Sequence, residues 1–523
     1  MNKHVPDLVD KHAPATRRPA ARRWLAAAAW VGTVLGLFAF FLRISRGSFV
    51  DSDGANSALQ AWALLHGHFL LHGWILGDAT FIFLELPVNA LTQAIFGLGN
   101  FAAHAGSSLT FLFVTIGALA LAVTGSRGPA RAVRCAVVVV VLAVPLLTLA
   151  SMRLALEEPD HMGTCVFVFG SFLLIDRAAE RRFAAPLLCA LLCAGQLSDL
   201  TVRYVAVPAV VLVCGYRALA ARKLRSGDAA LAAAAAVSVP LEVLVRAVMV
   251  HFGAFSMPSP RAQLSPVRMW PHHAMLTWLD LRQLFGAIVT THTKLGSTGA
   301  AFGLAALLAA VVGLGRVAWT WRTASRAEQA VAVVIVCNLC VYLISVMPEL
   351  RFLGPHEIVA VLPCGAVLAA RAFVPARISW LPVAFAAVAS SAAAAVLLLT
   401  VAASGPLDVP VTQGLTEWLA AHQLTYGFAG YWDASSATLQ SGGQVMIRPV
   451  NMGPPVWEPA YEMDTSWYDA SRYDATFVVA DPGRRYPVAE FEATFGKPAK
   501  TYHLQGWVIL VYRSNLIYSL RRG

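Results

Sequence analysis

Phe49-Val-Asp-Ser-Asp-Gly-Ala-Asn-Ser-Ala-Leu59 decides how the chain is read. The stretch follows a long apolar segment and opens a helix-forming run, so Asp51 and Asp53 stand where a membrane span meets water. Upstream, Arg17, Arg18, Arg22 and Arg23 precede an apolar run from Trp24 to about Leu42. The run is long enough to span, and Arg43-Ile-Ser-Arg46 follows it where a signal peptide would carry small residues for cleavage. It reads as an uncleaved first span. Downstream, Ala55, Ala58, Leu59, Trp62 and Leu65 recur at helical spacing as far as Gly67, which predicts a short helix lying on the membrane surface.

The surrounding composition supports a polytopic membrane protein. Of 523 residues, 58% are hydrophobic and 13% charged, and mean hydropathy is +0.62; soluble domains carry about 25% charged residues. Apolar runs near residues 24–42, 107–124, 135–152, 162–176, 184–198, 201–216, 229–250, 299–315, 329–347, 356–370 and 380–403 predict about eleven spans in an all-α membrane domain. Only Leu197-Ser-Asp-Leu200 separates two of them. The net charge of +11 sits in short segments: the basic tail 1–23, Arg127/Arg131/Arg134, Arg177/Arg181/Arg182, Arg217/Arg222/Lys223/Arg225, Arg316/Arg322/Arg326 and Arg371/Arg377. These are alternate loops, a membrane-orientation pattern rather than a nucleic-acid surface. They predict a cytoplasmic N-terminus in the cell membrane. Loops 46–106, 156–161, 252–298 and 348–356, with Asp199 and the C-terminal region, then lie outside. The eight cysteines lie in or beside apolar runs, Cys337 and Cys340 included, and indicate no disulfide framework.

The membrane domain is expected over 24–403 and a small α/β extracytoplasmic domain over 404–523. In the latter, 415–421 reads as helix and 444–450, 475–480 and 506–512 as strands. In loop 252–298, Leu276-Thr-Trp-Leu279 and Leu284-Phe-Gly-Ala-Ile-Val289 are too short to span and predict half-buried segments. No internal repeat is visible, which counts against a transporter or flippase of lipid-linked intermediates. A membrane scaffold without catalysis is the other alternative, and the long, partly apolar first outer loop argues against it.

The predicted outer face carries Asp51, Asp53, Glu85, Glu157, Glu158, Asp160 and His161, with Arg351 and His356 in a later loop. Clustered carboxylates at a membrane surface suit deprotonation of a hydroxyl, or a divalent metal, and an Arg at that depth suits a phosphate. Glu85 interrupts an apolar stretch where lipid burial would cost about 3 kcal/mol, so a polar cavity is expected around it. Plainer readings stand beside these. Asp53 immediately precedes the helix and fits an N-cap worth about 1 kcal/mol. Glu157, Glu158 and Asp160 fit a solvated turn around Pro159, and Arg351 fits a side chain reaching lipid headgroups.

In order, these residues resemble the multispanning GT-C type glycosyltransferases, which include protein O-mannosyltransferases and lipid A aminoarabinose transferases. The resemblance runs over about residues 24–403. An acidic residue opens the first outer loop, ahead of a helix ending Leu64-Leu-His-Gly-His-Phe69. Glu85-Leu-Pro87 stands where relatives have Glu-Lys-Pro-Pro, Glu158-Pro-Asp-His161 forms a second acidic motif, and Arg351-Phe-Leu-Gly-Pro355 is close to Arg-Tyr-x-x-Pro. The resemblance implies transfer of a sugar from a polyprenyl-phosphate donor to a glycan, lipid or protein acceptor on the outer face. It implies Asp53 as base, in preference to Asp51, with Asp160 as second carboxylate and Arg351 on the lipid phosphate. His161 and His356 would face substrate, and Glu85 would shape the cavity or bind a metal with His272 or His273. Tyr431, Trp432, Trp457, Trp467 and Tyr468 are candidates for stacking on a sugar, against the commoner fate of core packing.

Overall fold

The computed structural model describes residues 20–157, 161–178, 181–223, 226–258, 263–288, 294–350, 354–378, 412–453, 455–459, 461–481, 483 and 486–521. Its helices in chain order are α1 (Ala20–Ser45), α2 (Ser52–Leu65), α3 (Glu85–Phe96), α4 (Asn100–Ala122), α5 (Pro129–Ala143), α6 (Leu149–Met152) and α7 (Thr164–Ala178). Then follow α8 (Ala184–Ser198), α9 (Thr201–Ala220), α10 (Gly227–His251), α11 (Trp270–Leu284), α12 (Lys294–Trp319), α13 (Arg326–Ile344) and α14 (Val361–Phe373). Among the described residues, 7 helices are long and apolar enough to cross a membrane. Each expected span from 24–42 to 356–370 is matched by a helix; the run at 380–403 lies outside the described residues.

Two breaks in the apolar pattern matter for the site. The run 135–152 is not one helix: α5 stops at Pro145, whose ring removes an amide donor, and a 3-10 turn (Pro145–Leu147), α6 and a π turn (Arg153–Glu157) follow. Between α8 and α9, Asp199 is extended and separates two true helices. The short segments expected near 276–289 belong partly to α11, a continuous helix packed on α13 through Tyr342, whose hydroxyl donates to Asp280 Oδ2 at 2.9 Å.

The C-terminal part is a five-stranded sheet in the order β3-β2-β5-β7-β6. Its strands are β2 (Tyr426–Gly430), β3 (Met446–Val450), β5 (Phe477–Ala480), β6 (Lys500–Leu504) and β7 (Trp507–Val511). β3, β2 and β5 run parallel, and β7 lies antiparallel to both of its neighbours, β5 and β6. Helices α15 (Gln413–Ala421), α16 (Tyr431–Gln440) and α17 (Val488–Phe495) accompany it. The sequence reading missed β2, interrupted by Gly427 and Gly430, and β6, a polar edge strand.

The C-terminal domain is seated on the long segment between α1 and α4. β1 (Trp74–Ile75) pairs antiparallel with β4 (Met463–Asp464). One apolar cluster joins Leu71, Trp74, Leu76, Phe81 and Phe255 to Phe428, Val456, Trp467 and Val478. Helix α2 is enclosed by protein on two sides. From Ser52 to Ala61 every residue except Asp53 is buried, because the helix is packed by α3 on one side and α16 on the other. Gln93 Nε2 donates to Ala58 O at 2.8 Å, and the Ser52 hydroxyl to Tyr431 O at 2.6 Å. Small residues on α2 allow this double packing.

Candidate active site

Where α8 gives way to α9, Asp199 turns a carboxylate inward that is 3% exposed. His161 Nδ1 meets it at 2.9 Å, the Thr164 hydroxyl donates to it, and the Thr201 amide donates at 2.8 Å. Burial works against the charge, but His161 and these hydrogen bonds outweigh it and hold Asp199 below the usual carboxylate range.

The segment leading into α3 is tied to the same break. The amides of Thr80 and Phe81 donate to Ser198 O at 2.9 and 2.8 Å, and the Phe83 amide to Ser198 Oγ at 3.1 Å. This sets Glu85, 1% exposed, at the start of α3 and against Gly163. A Cβ on Gly163 would fall 1.8 Å from Glu85 Oε1, so only glycine admits the carboxyl. Burial pushes Glu85 up to about 8; a backbone hydrogen bond and His161 oppose the rise, and Asp199 adds to it. Glu85 is buried among protein atoms with His161 and Asp199 nearby, and its Oε2 has no hydrogen-bond partner.

His161 has a left-handed backbone (φ 45°), a conformation that persists in a non-glycine residue when its surroundings impose it. Its Nε2 faces Glu357 Oε1 at 3.8 Å and Asp78 Oδ2 at 4.0 Å. Glu357 belongs to a 3-10 turn (Gly354–Ile358) fixed by Asn338 Nδ2 donating to the Glu357 carbonyl at 2.8 Å. One ligand atom from each of Asp78, His161 and Glu357 lies within 4.8 Å of the others. Two carboxylate oxygens and an imidazole suit a divalent cation, and a histidine whose second nitrogen rests on a carboxylate is the usual support for a metal ligand. A proton competes for the same nitrogen. Burial disfavours it, but Asp199, Glu357 and Asp78 prevail and hold His161 well above an ordinary imidazole.

A second cluster forms where α2 meets the C-terminal domain. Asp51, not Asp53, is the N-cap: its carboxylate accepts the Gly54 amide at 3.0 Å. Asp53 is thereby left in the first turn, where the Tyr431 hydroxyl donates to Oδ1. The same hydroxyl lies 2.5 Å from Glu462 Oε2, which also accepts from Asn56 Nδ2 at 3.3 Å. Gly77 and Asp78 connect the clusters. A Cβ on Gly77 would meet Glu462 Oε1 at 2.7 Å, and the next residue, Asp78, faces His161.

Asp160 and Arg351 lie outside the described residues. His356 is half-buried in the same turn as Glu357. His272 is exposed, and His273 has Nδ1 at 2.9 Å from Leu343 O and Nε2 at 3.0 Å from Glu349. The histidine beside Glu85 is therefore His161, and the expected pairing with His272 or His273 is not built. Trp467 and Tyr468 are 6% and 4% exposed and serve the core, Trp467 under Arg448 at 4.0 Å; sugar stacking by these two is corrected. Trp432 is exposed and Trp457 half-buried. The reading missed Asp78, Glu357, Glu462 and the role of Asp199. Asp199 had a visible signal, a lone charge between two apolar runs.

No protein-family model matches the chain, and no curated protein matches it. Its fold is similar to that of ArnT from Cupriavidus metallidurans bound to undecaprenyl phosphate, at 14% identity and a TM-score of 0.55, covering 95% of this chain and 99% of that one. A second similar structure is the oligosaccharyltransferase AglB from Archaeoglobus fulgidus in complex with an inhibitory peptide and a dolichol-phosphate, at 12% identity and a TM-score of 0.44, covering 93% and 77%. The fold shared with ArnT is a helical membrane domain followed by a small α/β domain, the architecture the motifs implied.

Proposed function

We propose that the protein is a membrane glycosyltransferase that moves a sugar from a polyprenyl-phosphate donor to an acceptor hydroxyl or amine. The observation that carries this reading is the meeting of Asp78, His161 and Glu357, backed by Asp199, at one end of a GT-C-like bundle and connected through Gly77 and Glu462 to the cluster that holds Asp53. That end faces out of the cell, since the arginine-rich loops mark the other as cytoplasmic.

Asp53 takes the acceptor proton as the new glycosidic bond forms and the bond from the anomeric carbon to the lipid phosphate breaks. Its place in the first turn of α2, near the positive end of the helix dipole, favours the ionised form it needs. Asp160, next in sequence to His161, is the second carboxylate. Arg351 holds the departing phosphate through a forked pair of hydrogen bonds. A divalent cation, when bound by Asp78, His161 and Glu357, supplies charge neutralisation for that phosphate.

The test uses the full chain in liposomes with undecaprenyl-phosphate-linked hexoses and pentoses as probes and cell-envelope extract as the acceptor source. Release of undecaprenyl phosphate is measured. Asp53→Asn is expected to abolish release while accumulating normally, and Arg351→Ala to raise the donor concentration required. Near-normal release by Asp53→Asn dismisses it as base; unchanged donor dependence in Arg351→Ala dismisses the phosphate role.

A further inference from the structure

Tyr431, the first residue of α16, puts one hydroxyl between two carboxylates from different parts of the fold, Asp53 and Glu462. A phenol has one hydrogen to donate and can serve two carboxylates only in turn. The ionisable groups facing it are Asp53 from α2 and Glu462 and Tyr461 from the approach to β4. Glu462 is held in this place at some cost. Its backbone is left-handed (φ 45°), strain that a surface glutamate would relax. Asn56 donates to it, and Asn56 Oδ1 in turn accepts the Ser435 hydroxyl at 2.7 Å. Gly77 leaves room for its second oxygen. Burial and the neighbouring carboxylates hold the Tyr431 phenol well above its ordinary range, so it stays a hydrogen donor.

We propose that Tyr431 and Glu462 are the proton exit of Asp53, which makes the outer domain part of the catalytic cycle. The inference rests on Asp53 being the base. The proton that Asp53 has taken moves to Tyr431 Oη while the phenol's own hydrogen moves to Glu462 Oε2. One O–H bond breaks and one forms at each step of the chain, so the phenol ends intact and Asp53 is again a carboxylate. Glu462, half-exposed, hands the proton to water. Tyr431 and Glu462 are positioning residues for the base.

A donor-free experiment reads the coupling. Infrared pH-difference spectra of the full chain in nanodiscs are expected to show carboxyl bands of Asp53 and Glu462 that move together. Asp53→Asn should shift the Glu462 band, and Tyr431→Phe should uncouple the two. Bands that titrate independently in the wild type overturn the proposal. In turnover with the liposome probes, Tyr431→Phe and Glu462→Gln should each lower kcat about tenfold, keep donor KM within twofold, and recover rate with added imidazole. A loss that imidazole does not restore, or no loss at all, overturns the exit route. If Asp53→Asn is inactive in either case, the base reading survives; an active Asp53→Asn removes the base itself.

Discussion

The two ends of the helical bundle handle charge in opposite ways. At the arginine-rich end, guanidinium groups finish helices. Arg134, 4% exposed, donates to Val374 O at 3.0 and 2.9 Å and to Ala122 O at 2.9 Å. Arg371 donates to Leu121 O at 2.9 Å, to the Thr124 hydroxyl at 2.6 Å and to Glu328 at 3.0 Å. These carbonyls end α4 and follow α14, where no helical amide is left to receive them, and the cations also meet the negative ends of the dipoles. At the acidic end, Glu85, Asp199, Asp78 and Glu357 gather near one imidazole, and Asp53 and Glu462 share one phenol. Crowding carboxylates is costly unless something compensates for it. Within α9 and α10 the chain does compensate: buried Glu242 is paired with both Arg203 and Arg246. The difference separates structure from use. Paired charges close the bundle; the unbalanced ones form the site proposed for binding and reaction.

The largest test of that contrast is Asp199→Asn, which keeps the shape but removes the charge that three donors converge on. We expect a loss of about 3 kcal/mol, read by thermal unfolding in detergent. Wild-type melting would break the view that the acidic end is held electrostatically. Next, Mn2+ at about a hundredfold over its Kd should stabilise the wild type by about 2.7 kcal/mol at pH 8 and leave His161→Ala unmoved. Equal stabilisation of both proteins would remove Asp78, His161 and Glu357 as the cation site. Arg134→Met keeps the aliphatic stem and strands the carbonyls of Ala122 and Val374, for about 2 kcal/mol. Turnover per folded molecule should not change. A turnover defect there would blur the division between the two ends.

How far the sequence reached follows the same division. The helices announced themselves through apolar runs, and so did the break at Leu197-Ser-Asp-Leu200, because burial in lipid or core demands continuous apolar surface. Glu85 was legible as a buried charge for the same reason. The run across Pro145 was over-extended because hydropathy ignores the missing amide. The cap expected of Asp53 falls to Asp51, because both precede helix-forming residues and the outcome depends on which carboxylate the Gly54 amide reaches. Asp78 and Glu462 carried no local signal at all. Their placement comes from the seating of the C-terminal domain on the segment between α1 and α4 through β1 and β4, a contact between distant stretches that no periodicity encodes.

The smallest expected effect is the most diagnostic of what the acidic end does with protons. Glu85 is buried, and its Oε2 has no hydrogen-bond partner. Its carboxyl is raised from 4.5 to about 8, so the folded protein keeps a proton that the unfolded chain has released between those values. Folding stability from this group is complete below pH 4.5 and is lost as pH rises through about 8. Glu85→Gln copies the neutral acid in shape, so near pH 4, where the unfolded glutamate is also protonated, it should melt within about 0.5 kcal/mol of wild type. Its stability should also decline less steeply from pH 6 to pH 8. An unchanged slope would assign the proton to another group. Retained donor use in this variant would make Glu85 a neutral wall of the cavity, since glutamine cannot act as an anionic ligand, and would leave the cation to Asp78, His161 and Glu357.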